Sequence, residues 1–374
     1  MKPVRIVLAV AALMIAAYLL FSPVPIEPVS WHAPQSAGFT GPYARNERLA
    51  DARLVSVAPE VGPEHIVFGP DGKLYTGVLS GAVLRMNPDG TGVETFVNTG
   101  GRPLGMDFDR DGRLVIADAM KGLLVAAADG SVTVLADHVG SDPISYADAV
   151  VVADNGRMYF TDATRRFSPV DLGTFDAALL DVMEHSCTGR VLEYQPATQQ
   201  VRVVIDGLCF PNGVALSGDQ AKLFIAETGE YRIWKVDVDA DALDARAAAR
   251  DPVNAQAMVV LANLPGFPDN LTRGANGRLW TGLTKPRSDV IDRLSDRPWL
   301  RAMSLRLPKS LWPVPPAYGH ILAFDEDGRV VADLQDPSGR LPETSGVTER
   351  EGDLYVQSLH ADALGVLPAS SINQ

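Results

Sequence analysis

Carboxylate and amide side chains recur in this sequence directly after proline at the start of short apolar runs. Glu64 lies in Gly62-Pro63-Glu64-His65, Asn212 in Phe210-Pro211-Asn212-Gly213, and Asp269 with Asn270 in Phe267-Pro268-Asp269-Asn270, while Asp148 follows Tyr146-Ala147. Oxygen donors of this kind suit a hard cation, and Ca²⁺ takes about six to eight of them, water included. We therefore predict a metal site with the ligands Glu64, Asn212, Asp269, Asn270 and Asp148. Ca²⁺ is the expected ion, and another divalent cation is the alternative.

Each of these residues also has a purely structural interpretation. Pro-Asn-Gly is an ordinary turn sequence, and Asp269-Asn270 could cap backbone groups at the entrance to a strand. The residues are far apart in the sequence, so their spacing alone proves nothing. We assign them to one shared site because they occupy equivalent positions within a structural repeat.

That repeat consists of a short apolar strand, a tight turn and a second strand. Asp-Gly or Asn-Gly pairs, which tolerate the positive φ angles of hairpin turns, separate many of the apolar runs. The second strand recurs at residues 73–78, 113–117, 157–161, 222–226, 278–282 and 353–357. Six such units, at spacings of about 40 residues and upwards, predict an all-β, six-bladed β-propeller over residues 53–370. Its innermost strands would bring Glu64, Asn212, Asp269 and Asn270 to one end of the central channel.

Two long insertions fall between second and third strands, and therefore on the face of the predicted metal site. They span residues 165–185, with a helix-like stretch at 176–183, and residues 285–318, so both are expected to be partly helical. Extended loops on one face favour a lid or a binding surface, although they could simply cover blade edges. The second insertion carries Trp299 and Trp312, which fit either contact with a membrane or a buried lid core.

The N-terminal segment predicts attachment to a membrane. Lys2 and Arg5 precede an uncharged run that ends in a proline-rich stretch. Positive charge before an apolar run places the N-terminus inside, and no small-residue cleavage motif follows the run. We predict a single-pass signal-anchor at residues 1–27 and a linker at 28–52. The globular part would then be periplasmic, lumenal or extracellular, with a cleaved signal peptide as the alternative.

The overall charge disfavours nucleic acid as a partner. The chain has 33 Lys and Arg against 46 Asp and Glu, a formal net charge of −13, and no compensating basic run. The net charge does not predict the oligomeric state.

The two cysteines, Cys187 and Cys209, flank a predicted hairpin whose turn lies near Thr198. An antiparallel hairpin would bring them opposite one another. In an oxidising compartment they would be either a disulfide or two buried thiols.

Several longer motifs resemble the strictosidine-synthase-like family, and in particular its membrane-anchored members. They are Gly62-Pro63-Glu64, Arg102-Pro103-Leu104-Gly105, Ile116-Ala117-Asp118-Ala119, Phe210-Pro211-Asn212-Gly213-Val214, Ala226-Glu227-Thr228, Leu264–Asn270 and Leu294–Trp299. The chain is more distantly similar to paraoxonases and to the gluconolactonase/senescence-marker family. This resemblance implies a Ca²⁺-dependent propeller with esterase or lactonase activity, and Glu64, Asn212, Asp269 and Asn270 match metal-ligand positions of the paraoxonase-type site.

The chain departs from these relatives at two positions. Where they have asparagine before an aspartate, this chain has Ala147-Asp148, so Asp148 or water would replace one ligand. Where strictosidine synthases have a catalytic glutamate, this chain has Ser345. Glu343 would face away if strand alternation holds, which disfavours a condensing enzyme.

The predicted function is metal-dependent hydrolysis of a small-molecule ester or lactone. Asp269 or Glu64 is the expected general base, with His360 and His65 as secondary candidates. A nucleophile-elbow serine hydrolase is disfavoured because the sequence has no Gly-x-Ser-x-Gly element. The alternatives are a non-catalytic propeller that binds a ligand or membrane around a structural metal and, less favoured, a condensing enzyme of the strictosidine-synthase type.

Overall fold

A computed structural model describes residues 2–251, 253–312 and 314–373 of the chain. The helices are α1 (Lys2–Phe21), α2 (Pro169–Leu172), α3 (Thr174–Glu184), α4 (Ala245–Arg250), α5 (Asp289–Arg293) and α6 (Pro298–Ser304). The first fifteen strands are β1 (Arg53–Ser56), β2 (Ile66–Phe68), β3 (Leu74–Gly77), β4 (Ala82–Met86), β5 (Glu94–Asn98), β6 (Pro103–Phe108), β7 (Leu114–Asp118), β8 (Gly122–Ala126), β9 (Val132–Ala136), β10 (His138–Val139), β11 (Asp142–Pro143), β12 (Ala147–Val152), β13 (Met158–Asp162), β14 (Gly189–Gln195) and β15 (Gln200–Leu208). The remaining strands are β16 (Pro211–Leu216), β17 (Lys222–Glu227), β18 (Arg232–Asp237), β19 (Leu243–Asp244), β20 (Ala257–Leu261), β21 (Gly266–Arg273), β22 (Leu279–Pro286), β23 (Gly319–Phe324), β24 (Val330–Asp336), β25 (Thr344–Arg350), β26 (Asp353–Ser358) and β27 (Ala363–Pro368).

These strands form the predicted six-bladed β-propeller. The blades are β2–β5, β6–β9, β12–β15 with the short β19, β16–β18 with β20, β21–β24, and β25–β27 with β1. The last blade takes its outermost strand from the start of the domain, because β1 pairs antiparallel with β27 from Arg53 opposite Val366 to Ser56 opposite Ala363. This pairing closes the ring, because the start and the end of the propeller domain share one blade.

Side chains that face the next blade form the core. Trp234 of β18 and Trp280 of β22 are completely buried, and each belongs to a cluster that joins two neighbouring blades. Four-stranded antiparallel sheets stack in this way when both faces of the inner strands are apolar. The blades therefore hold their inner strands at fixed positions around the channel.

The inner strands are irregular where they begin. The pairing of β12 with β13 shifts between Ala147 and Val150, and that of β16 with β17 shifts between Pro211 and Val214. Bulges of this kind turn side chains away from the regular alternation. The strands also approach closely here, since a Cβ on Gly213 would lie 2.2 Å from the Leu271 backbone nitrogen. The sequence Pro-Asn-Gly therefore brings Asn212 to the axis.

The two insertions carry helices, as predicted, and together form what we name the lid: α2 and α3 in the first, α5 and α6 in the second. Leu180 and Met183 of α3 pack with Ile291 of α5 and Leu305 after α6 in one apolar cluster. Trp312 packs against the same cluster, whereas Trp299 is 62% exposed. The structure therefore assigns Trp312 to a lid core and leaves Trp299 at the surface.

The segment before β1 runs across the lid. The Val29 N–H donates to the Glu184 carbonyl at 2.8 Å, and the Trp31 N–H donates to the Ser295 carbonyl at 3.1 Å. Residues 22–52 are thus attached to both insertions.

Cys187 and Cys209, which flank the β14–β15 hairpin, form a disulfide.

Helix α1 is long and apolar enough to cross a membrane over Pro3–Phe21. Its last turn contacts the lid, because Arg306 Nη1 donates to the Leu19 carbonyl at 2.9 Å and Arg306 Nε donates to the Ser22 carbonyl at 2.5 Å. The start of the chain and the lid therefore lie on the same side of the propeller.

Candidate metal centre

All five predicted ligands converge at the lid end of the central channel. Asn212 Nδ2 donates to Asp148 Oδ2 at 3.3 Å and to Asp269 Oδ2 at 3.1 Å. Asn270 Nδ2 donates to Glu64 Oε1 at 2.6 Å. The five side chains are buried, with exposures between 1% and 5%. The structure thus brings together residues from four different blades.

Three oxygen atoms in this cluster accept no hydrogen bond from the described residues. They are Glu64 Oε2, Asn212 Oδ1 and Asn270 Oδ1. Buried polar atoms are nearly always paired, so this buried group of acceptors is suited to hold ordered water or a ligand that attracts oxygen. A hard cation is such a ligand, and the donor set fits one.

The electrostatics of the cluster also favour a cation. Burial and the neighbouring carboxylates raise the pKa of Asp148 and of Asp269 well above the usual range. Burial raises the pKa of Glu64 to about 7, although Arg102 and the hydrogen bond from Asn270 oppose the shift. Three buried carboxylates resist ionisation together unless positive charge compensates them.

Arg102 supplies part of that charge, and sequence reasoning did not identify it as a site residue. Its side chain is 2% exposed, and its Nη2 donates to the Gly62 carbonyl at 3.1 Å. Its Nε and Nη1 have no acceptor among the described residues. Arg102 precedes the innermost strand of the second blade, so the positional argument that found Glu64 and Asn212 would have found it too.

His360 lies beside this cluster with a carboxylate partner. Its Nδ1 contacts Glu343 Oε2, and Lys285 Nζ forms an ion pair with Glu343 Oε1 at 2.5 Å. Burial raises the pKa of Glu343, but the hydrogen bonds from His360 and Lys285 outweigh it and hold the pKa at about 2. Glu343 is therefore ionised and can orient the imidazole.

The expectation that Glu343 faces away is wrong. Glu343 has φ 52°, in the left-handed region, and it precedes β25 rather than lying within it. Strand alternation therefore does not apply, and Glu343 lines the same cavity as Asp269. Ser345 is buried instead, and its hydroxyl donates to the Glu64 carbonyl at 2.6 Å.

His65 does not line the cavity of Glu64. It is 7% exposed, and its Nδ1 accepts a hydrogen bond from the Met106 N–H at 3.0 Å. Burial lowers the pKa of His65 to about 4, so it is a neutral packing residue. It lines a recess with residues from the opposite ends of the inner strands.

Two connected cavities lie between the cluster and the lid. One is lined by Glu64, Arg102, Asp148, Asn212, Asp269 and His360. The other is lined mainly by apolar side chains, and it shares Phe175, Phe210 and Asp269 with the first. Phe210 has φ 54°, a strained conformation for a bulky residue, and strain of this kind often occurs at functional sites. An apolar chamber therefore opens onto a charged one.

Comparisons with known proteins are consistent with this architecture. A family model described as the SMP-30/gluconolactonase/LRE-like region matches residues 63–300. The human adipocyte plasma membrane-associated protein is 31% identical over 374 residues, covering 93% of this chain and 85% of that protein. Protein strictosidine synthase-like 13 of Arabidopsis thaliana is 32% identical over 323 residues, covering 77% of this chain and 76% of that protein.

Solved structures with the same fold include a gluconolactonase from Xanthomonas campestris. It superposes with a TM-score of 0.58 at 19% identity, covering 92% of this chain and 98% of its own. The calcium-binding protein regucalcin from Agrobacterium tumefaciens superposes with a TM-score of 0.55 at 14% identity, covering 84% and 92%. At these identities the likeness is one of fold.

Proposed function

Because the chain belongs to the SMP-30/gluconolactonase/LRE-like family and is strictosidine-synthase-like within it, we propose that it is a metal-dependent hydrolase of esters or lactones. The membership confirms the resemblance that its motifs indicate. Gluconolactonases are among the proteins that share its fold. The activity itself is inferred from the residues of the site.

The observation that carries the proposal is the charge balance of the buried cluster. Glu64, Asp148 and Asp269 with the one guanidinium of Arg102 have a net charge of −2 when all are ionised. One divalent cation neutralises that charge, and the unpaired oxygens of Glu64, Asn212 and Asn270 are available to hold it. Ca²⁺ is the proposed ion because every candidate ligand atom is oxygen.

A divalent cation held there would supply Lewis-acid polarisation of a substrate carbonyl. Arg102 offers N–H groups on Nε and Nη1 that have no acceptor in the part of the chain that the structure describes. Preorganised donors in a dry cavity stabilise the oxyanion that develops when a carbonyl is attacked. We assign that role to Arg102.

His360 is the proposed general base. Since its Nδ1 contacts the ionised Glu343, the Nδ1–H is fixed and Nε2 is left free to accept a proton. Nε2 removes a proton from water as the oxygen attacks the carbonyl, and the imidazolium returns that proton to the leaving alkoxide. Glu343 itself, with a pKa of about 2, is too weak a base for this step, which also argues against the condensing reaction.

The apolar chamber indicates the kind of substrate. Phe175, Leu179, Val182 and Phe267 line it next to Asp269. An ester or lactone with an apolar substituent would bury that substituent there and present its carbonyl to the charged chamber. The contact between the lid and the end of α1 supports a position of this opening near the membrane, with α1 as the proposed anchor. We propose that the propeller lies outside the cytoplasm, with the N-terminus inside.

The test is hydrolysis of phenyl acetate and of a γ-lactone by the full-length protein in detergent micelles. Turnover should require Ca²⁺, disappear with EDTA and return when Ca²⁺ is restored. Asp269→Asn should abolish it, whereas Asp327→Asn, in an exposed turn between β23 and β24, should not.

Absence of turnover with and without Ca²⁺, from protein shown to be folded, would refute the hydrolase. If Ca²⁺ still stabilised that protein against unfolding, the molecule would be a binding propeller with a structural metal.

A further inference from the structure

A second group of metal-ligating side chains lies under residues 29–31 of the linker. His185, Cys187 and Cys209 are all buried, with their ligand atoms within 4.8 Å of one another. Glu230 adds a carboxylate, since its Oε1 lies 3.0 Å from His185 Nε2 and 3.8 Å from Cys209 Sγ. Cys209 Sγ is 3.6 Å from His185 Nε2. Two sulfurs and one imidazole thus form one group, and the Glu230 carboxylate contacts two of its three members.

We propose that, when the Cys187–Cys209 disulfide is reduced, these four residues bind a Zn²⁺ ion. Zinc prefers four tetrahedral ligands of this kind, with bonds of about 2.3 Å to sulfur and about 2.0 to 2.2 Å to nitrogen and oxygen. At tetrahedral angles such bonds separate the ligand atoms by about 3.4 to 3.8 Å. Cys209 Sγ lies 3.6 Å from His185 Nε2 and 3.8 Å from Glu230 Oε1, and the latter two atoms are 3.0 Å apart, so these three atoms need to move by less than half an ångström. The fourth ligand, Cys187 Sγ, must move away from Cys209 Sγ once the disulfide is opened.

The reaction balances with a dithiol as the reductant. The dithiol transfers two electrons and two protons to the protein disulfide and becomes a disulfide itself. Zn²⁺ then replaces the two thiol protons, because only thiolates bind the ion. It also replaces the hydrogen bond between His185 Nε2 and Glu230. The proton of that bond is released to solvent, and the imidazole binds Zn²⁺ through Nε2 while Nδ1 takes up a proton from solvent, so the ring stays neutral. Two thiolates, one carboxylate and Zn²⁺ leave a net charge of −1.

The surroundings support such a site. Trp31 stacks on the His185 ring at a centroid distance of 3.9 Å, which fixes the plane of the imidazole. Arg232 and Arg246 line the same cavity as His185, Cys209 and Glu230 and can balance the negative charge. That cavity also gives the ion a route to the ligands. Positioned neighbours of this kind tune metal ligands in proteins.

The experiment uses the full-length protein in micelles, either oxidised or reduced with dithiothreitol and desalted without oxygen. Co²⁺ serves as the spectroscopic probe, because thiolate ligands give it a charge-transfer absorption that oxygen ligands do not. Reduced wild-type protein should bind one Co²⁺ with this absorption and release it to Zn²⁺. Oxidised protein should show no such absorption.

Three variants test the ligand set. Cys187→Ser with Cys209→Ser should abolish the absorption. Glu230→Gln, which keeps both thiols, should retain it but bind at least about tenfold more weakly. Asp269→Asn is the control, because the cluster of Asp269 and the other four predicted ligands on the propeller axis, which we call the axial site, has no sulfur ligand. The charge-transfer absorption of this reduced variant should match that of the reduced wild type.

Reduced wild-type protein with two titratable thiols and no charge-transfer absorption would overturn the proposal. Equal Co²⁺ affinity in Glu230→Gln and wild type would overturn the four-residue ligand set. Neither result would bear on the axial site, because hydrolysis is not part of this measurement.

Discussion

Replacing Asp269 with asparagine should change stability in opposite directions with and without calcium. Asn212 Nδ2 lies 3.3 Å from Asp148 Oδ2 and 3.1 Å from Asp269 Oδ2, so those two oxygens are at most 6.4 Å apart, the sum of the two distances. Two unit charges at that separation repel by about 2.5 kcal/mol at an effective dielectric constant of about 20. Burial and neighbouring carboxylates raise the pKa of both groups, so protonation relieves part of this repulsion without calcium, and the full value applies only when both carboxyls are ionised. The amide removes this repulsion but loses one hydrogen bond worth about 1 kcal/mol. Without calcium the variant should therefore be as stable as the wild type, or more stable by up to about 1.5 kcal/mol.

Calcium should reverse the order. Wild-type protein gains about 2.7 kcal/mol when free Ca²⁺ is 100 times its dissociation constant, and the variant, which lacks one anionic ligand, should gain little. Guanidinium unfolding of both proteins, in EDTA and in Ca²⁺, measures the four free energies, with Asp327→Asn as the matched control. An equal calcium gain in Asp269→Asn and wild type would refute the assignment of the axial cluster. So would a variant that is more than about 1 kcal/mol less stable than wild type in EDTA, because loss of the one hydrogen bond would not account for it.

Three further predictions concern the base, the lid and the disulfide. His360→Gln should lower kcat about 100-fold or more and leave the stabilisation by calcium unchanged. Glu343→Gln should lower kcat less and shift the pH profile of kcat. Equal activity of His360→Gln and wild type would remove His360 from the mechanism. Burial raises the pKa of Asp181 in α3 to about 7, so the ionised carboxylate is less stable in the folded protein than in the unfolded chain. The free energy of unfolding of the wild type should therefore fall as pH rises from about 4 to about 7, and then level off. Asp181→Asn should lack this loss and be up to about 4 kcal/mol more stable than wild type at pH 8; parallel unfolding curves over that range would contradict it. The free energy of unfolding of the Cys187→Ser, Cys209→Ser variant in guanidinium should be about 3 kcal/mol lower than that of the wild type, because the disulfide closes a loop with a sequence separation of 22. An unchanged unfolding midpoint would mean that the cross-link does not restrict the denatured chain.

Repetition made most of the fold predictable. The turn pairs and the strands beside them mark six equivalent units, and a ring of six units leaves few other ways to bury their apolar faces. Equivalent positions in such units meet at the axis, so Glu64, Asn212, Asp269 and Asn270 could be named together before any distance was known. Arg102 follows the same logic and was missed because a cation was not expected among metal ligands.

The chain alone determined the repeat, the apolar N-terminal helix and the kind of atoms at the axis, because these depend on local pattern and on residue type. Only the tertiary structure decided where irregular backbone points a side chain. Glu343 faces the cavity through a left-handed φ that no alternation rule foresees, and His65 faces away from it although it follows Glu64 directly. The tertiary structure also brought Glu230 to His185 and Cys209, which are 45 and 21 residues away along the chain. Contacts between blades arise from packing of the closed ring, so they cannot be predicted from the pattern of residues along the sequence.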